Sequence, residues 1–169
     1  MTVVAVAVGP AGVALGWSLS AWGESRRTAA AAREQTRMDD RQRALAILAV
    51  ASTIVGEGRS LGHAAHQSGT GRSPDKDQVK SSMNRFNTAM ADIDRLILEA
   101  DVLGPDGLSD IGRTLLQHGQ DLTQIVTAMQ VRLTANDSDK LQQETLPAFE
   151  KAISLATADV RALIRPATA

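Results

Sequence analysis

Residues 79–100 read VKSSMNRFNTAMADIDRLILEA, and their spacing decides the fold. Val79, Met83, Phe86, Met90, Ile93, Ile97 and Ala100 follow one another at alternating intervals of four and three. That rhythm is a helix seam facing other helices. Methionine on such a seam is core filler rather than a cofactor ligand. Working outward, Gly104-Pro105-Asp106-Gly107 is a turn, with proline where its fixed φ helps. Beyond it Leu108, Ile111, Leu115, His118, Leu122, Ile125 and Met129 keep the same interval. Ala135 to Asp139 breaks the rhythm, and Asp137 or Ser138 can cap a final helix. That helix carries Leu146, Phe149, Ile153, Ala156, Val160 and Leu163 and stops before Pro166. Pro147 either starts it or kinks its first part. Upstream, Ile47, Ala51, Ile54, Leu61 and Ala65, with Leu48 and Val55 beside them, line one helix face. Gly56, Gly58 and Gly62 weaken this helix toward its end, and Gln67 to Asp77 reads as a loop.

Composition narrows the function. The 169 residues hold 18 Lys plus Arg against 19 Asp plus Glu, a formal charge of −1, with aromatics at 2% and no Cys. A missing Cys excludes disulfides, a cysteine zinc site, iron–sulfur clusters and a thiol nucleophile. The balanced charge and scarce rings argue against nucleic acid. Arg outnumbers Lys 14 to 4, a bias that GC-rich coding also produces. No stretch alternates with period two, so no sheet is expected.

The N-terminal run Thr2 to Trp22 holds no charged residue. As a helix it is roughly 31 Å long, close to the hydrocarbon thickness of a bilayer. Trp17 and Trp22 fall at its far end, where indole favours the headgroup boundary, and Arg26 and Arg27 follow. A cleaved secretory signal is the rival, but it wants a positive region before a shorter apolar run. The positive-inside rule then puts the N-terminus outside and Gly23 to Ala169 in the cytoplasm. Gly12, Gly16 and Ser20 recur every four residues, a spacing that lets two membrane helices approach closely.

The expected architecture is all-α: a transmembrane anchor over 1–23, a charged helical stalk over 24–43, and an antiparallel four-helix bundle over 44–169. A three-helix bundle on a stalk that pairs with a second copy is the runner-up. The stalk mixes six Arg with four acids. Attraction to anionic lipid is worth about 1 kcal/mol per Arg near the surface, but a solvated helix laced by i,i+4 pairs is the favoured reading.

Little in the chain suggests chemistry. His63 and His66, at i,i+3, could chelate a metal with Glu57 or a residue from a neighbouring tract as third ligand; two surface imidazoles near a helix C-terminus explain them better. His118, on its seam, reads as a core or boundary histidine hydrogen-bonded to a neighbouring helix, with a pH-responsive seam residue as the alternative. Asp92 with Asp94 and Glu99 with Asp101 sit at i,i+2, facing different sides of a helix, so neither is an acid/base dyad. No P-loop, EF-hand or serine-nucleophile motif is present. No catalytic, cofactor or metal residue and no small-molecule substrate is expected.

The anchor Thr2 to Trp22 and the stalk opening Gly23-Glu24-Ser25-Arg26-Arg27 resemble small membrane-anchored helical proteins of high-GC filamentous bacteria, among them plasmid-spread proteins of the KilB type. The resemblance implies a non-enzymatic membrane role in plasmid transfer between cells, and it carries over no functional residue. The expected role is therefore an interaction or scaffold protein at the cytoplasmic membrane face. Its expected partners are lipid, a homo-oligomer or another protein. Transmembrane signal relay is the alternative, and histidine-dependent metal binding a weaker one.

Overall fold

A computed structural model describes residues 10–131 and 139–164, with side chains for 24–68, 70–127 and 139–162. Every element is helical, with no strand among the described residues. Among the described residues there are four helices, α1 (Pro10–Gly69), α2 (Lys76–Leu103), α3 (Leu108–Val131) and α4 (Leu146–Ile164), the last entered through a π-helical turn, Leu141–Thr145. The chain divides into two units, Met1–Asp39 and Asp40–Ala169. In the first, the described residues Glu24 to Met38 are all exposed. The second contains the core.

The ends of the helices follow from local chemistry. Arg72 N–H donates to Gln67 O (3.0 Å) and Gly71 N–H to Ser68 O (3.1 Å). This is a Schellman cap with Gly71 in the left-handed conformation, φ +76°. Asp75 caps α2, its carboxylate accepting from Asp77 N–H at 2.9 Å and Gln78 N–H at 3.3 Å. The loop expected over 67–77 is thus trimmed at both ends to 70–75. The turn at 104–107 is where the sequence puts it. Leu108 N–H closes it onto Pro105 O (3.1 Å), and Gly107 takes φ +87°, which glycine adopts without a steric penalty.

Pro147 lies in the first turn of α4, but the helical path does not begin there. Residues 139 and 140 are already helical, and Leu146 N–H reaches back five residues to Leu141 O. A proline at 147 has no N–H to offer the carbonyl four residues back, and its ring crowds that carbonyl. The turn before it widens by one residue, as π turns do. Both Leu141 and Leu146 are buried as a result.

The core follows the helical rhythm, but its phase differs from a reading by side-chain size. On α2 the buried positions are Ser82, Phe86, Ala89, Ile93, Leu96, Ile97 and Ala100, with Val79, Met83 and Met90 partly buried on the flank. On α3 the line runs Leu108, Gly112, Leu115, Gly119, Leu122 and Val126, while Ile111, His118 and Ile125 flank it. The side chains of Met129 and Leu163, also expected on seams, lie outside the described residues. On α1 it runs Ala44, Ile47, Ala51, Ile54, Gly58, Leu61 and Ala65.

Glycine occupies seam positions because neighbouring helices approach there. A Cβ on Gly112 would lie 2.6 Å from Ile97 Cγ1, and one on Gly119 2.8 Å from Met90 Sδ. Gly58 faces Leu122 and Leu146, and Gly62 faces Leu141. Each glycine is a socket for a larger side chain from another helix.

Candidate interaction surfaces

Polar ties cross between helices at a few defined levels. Arg43 donates to Asp40 Oδ1 (3.1 Å), to Glu99 Oε1 (3.4 Å) and to Leu103 O (3.1 Å). A cation at the C-terminal carbonyls of α2 also meets the negative end of its dipole. Further along α1, Glu57 takes both Arg85 Nε (2.5 Å) and Arg85 Nη2 (3.1 Å), the bidentate geometry that suits guanidinium and carboxylate. The Arg85 hydrogen bonds hold the Glu57 carboxyl below its ordinary value, against the opposing effect of burial. Beside this pair, buried Ser82 lies 3.0 Å from the Ser60 hydroxyl. Arg59 pairs with Glu150 of α4, and Arg113 joins Asp101 (2.8 Å) and Asp110 (2.7 Å). The Ser109 hydroxyl, then Arg113, lower the Asp101 carboxyl.

The histidines are dispersed. His63 and His66 are both exposed on the last turns of α1, and the Gln67 amide donates to His63 Nε2 at 2.9 Å. Glu57, their conceivable third ligand, is committed to Arg85. Among the described residues no group of three or more His, Asp or Glu could hold a metal ion. His118 is half-buried and stacks on Phe149, with ring centres 5.7 Å apart and planes at 24°. It lines a cavity of about 360 Å³ with Asp121, Gln124, Lys140 and Glu144, beside the π turn. A smaller cavity of about 290 Å³ lies at Arg59, Gln142, Pro147 and Glu150. Of the acid pairs, Asp92 meets Arg95 at 3.8 Å, while Glu99 and Asp101 are taken by Arg43 and Arg113.

The residues expected at a membrane flank or in helix association divide differently. Arg26 and Arg27 are exposed on α1. The side chains of Gly12, Gly16, Trp17, Ser20 and Trp22 lie outside the described residues, although the backbone is helical from Pro10 onward. One helix among the described residues, Glu24–Ser68 within α1, is long and apolar enough to cross a membrane. Much of its apolar content is the seam itself: Ile47, Ala51, Ile54, Val55 and Leu61 are buried in the core. A core helix of this kind meets the same criterion of length and composition.

The outward side of α1 was not singled out by the sequence reading. From Ala44 to Gly56 the chain has no charged residue. Leu45 is 54% exposed, and Ala49, Ser52, Thr53 and Gly56 are exposed with it. Its signal in the sequence is the uncharged run itself, on which the periodicity of the opposite, buried face is superimposed. Compared with known protein families, curated proteins and solved structures, the chain matches none.

Proposed function

We propose that this chain is a non-enzymatic scaffold, anchored by residues 1–23 and presenting an antiparallel four-helix bundle at the cytoplasmic face of the membrane. The carrying observation is that α1 is helical from Pro10, within the uncharged run, and has Ile47, Ala51 and Ile54 in the core. One helix thus holds both the anchor sequence and a wall of the folded unit. The bundle reading is supported by contact order. Arg43, Glu57 and Ser60 of α1 meet Glu99, Arg85 and Ser82 of α2, so partner numbers fall as α1 numbers rise. Gly112 and Gly119 of α3 meet Ile97 and Met90 of α2 in the same opposed order. Ion-paired outer surfaces and a core filled by aliphatic side chains suit a protein that binds others, and a tether raises the local concentration of such contacts. Plasmid spread between cells is the process that the resemblance of anchor and stalk suggests.

The test is fractionation with a topology probe. The full chain should stay with membranes through an alkaline wash. A single cysteine from Thr114→Cys, an exposed site in a chain that has none, should react with an impermeant maleimide only after the cells are opened. Recovery of the intact chain in the soluble fraction, or labelling from outside, overturns the reading.

A further inference from the structure

A helix that is apolar all round is covered all round, and α1 between Ala44 and Gly56 is covered on one side only. The outer faces of the other helices carry charge, such as Lys80, Asp94 and Arg95 on α2 or Asp110 and Arg113 on α3. The outer face of α1 carries none across about 18 Å of helix. Its two hydroxyls are turned inward on the backbone: Ser52 donates to Leu48 O (2.9 Å) and Thr53 to Ala49 O (3.0 Å). The surface left to a partner is therefore methyl and methylene. Leu45, Ala49, Ser52 and Gly56 step by four, three and four, the interval of a two-helix seam. A Cβ at Gly56 would meet nothing within 4 Å, so this face is open and shallow enough for another helix to come close.

We infer that this face pairs with the same face of a second copy, the two α1 helices running parallel and in register. The occupant follows from charge and length. An acidic or basic partner finds no opposite charge here. A seam of thirteen residues is also short for a stable interface, which typically buries about 1,600 Å². In the sequence the same interval reaches back through Gln42, Met38, Gln35 and Ala31, all uncharged, in a segment where half the residues from Glu24 to Arg43 are charged. Met38 is 56% exposed, and no described residue from Glu24 to Met38 is covered. A second copy brings a seam of matching length and period to all of these positions. The pairing deepens the scaffold reading and rests on it for the common orientation of the two chains, which a shared membrane imposes.

The test uses the full-length chain in its own membranes, with single cysteines from Ala49→Cys and Ser52→Cys against Thr114→Cys and Gln120→Cys, both exposed on α3. Mild oxidation should convert the first two to covalent dimers and leave the second two monomeric. Ala49→Arg, introduced with Ser52→Cys, should lose the dimer while helical circular dichroism is retained. Equal crosslinking at all four sites, or a dimer that survives Ala49→Arg, overturns the pairing. So does a pair of α1 cysteines that fail to crosslink yet are shielded from a soluble maleimide, because lipid or a different protein then covers the face. A chain found in the soluble fraction that still crosslinks at 49 and 52 removes the membrane reading and leaves the pairing standing.

Discussion

Gly112 shows how one missing methyl sets the distance between two helices. Ile97 projects into the space that a side chain there would need, and its atom in closest approach is Cγ1, next to the branch point rather than at a free tip. A β-branched side chain has few rotamers to escape into. Gly112→Ala gains about 1 kcal/mol of helix propensity and meets overpacking of roughly 1–3 kcal/mol, so a net loss is expected in urea unfolding. Leu98→Ala, at a residue 68% exposed, should shift stability by no more than about 0.5 kcal/mol. Glu57 makes a different kind of contribution. Arg85 lowers its folded-state pKa below the ordinary value near 4.5, so the stabilisation is complete above the unfolded value and disappears as pH falls through the folded one. Glu57→Gln should flatten the acid limb of stability against pH and leave the limb above neutrality unchanged. An identical acid limb in wild type and variant would show that the ion pair contributes nothing.

At the level of elements, the number and order of helices were legible from spacing alone, because apolar residues at intervals of three and four have one common explanation. The phase of the seams was less legible. Ser82, Ala89, Gly112 and Gly119 are core positions that a search for large side chains passes over, while Met83, Met90, Ile111 and Ile125 are large and only partly buried. Small residues lie at the centre because the helices are close there, which is a property of two helices and cannot be read from one. Caps were similarly short of signal: Asp75 sits in a polar stretch where any of several residues could serve. Asp75→Ala should cost about 1 kcal/mol, visible in thermal melts. The π turn offers a sharper test. Leu141 and Leu146 are five apart and both buried, whereas four apart is the α-helical spacing for a shared face. Deleting exposed Gln143 should be tolerated with near-normal cooperativity, whereas deleting exposed Gln117 in α3 should not.

For the whole molecule, the expectation of an anchor rests on the absence of charge from Thr2 to Trp22, whose side chains lie outside the described residues. Val13→Arg puts a charge near the middle of the run, at about 2.5–3.5 kcal/mol of insertion free energy, and should move much of the chain out of the membrane pellet. An unchanged pellet fraction would count against a spanning segment. The uncharged run at 44–56 is plain in the sequence, but which of its sides the fold leaves bare was not legible, because sequence patterns advertise what a helix buries and say less about the rest. The sockets at Gly58 and Gly62 also bear on how the chain is made. Gly58 is met by Leu122 and Leu146 and Gly62 by Leu141, and Leu146 and Leu141 leave the ribosome some eighty residues after them. At about 5–20 residues per second, the first helix waits roughly 4–16 s for its last neighbour, and the part of its oily flank that this neighbour covers stays open until then. A newborn chain is therefore at its most adhesive before it is finished, and a ribosome stalled past residue 131 would hold a sticky, three-legged product at the site of synthesis.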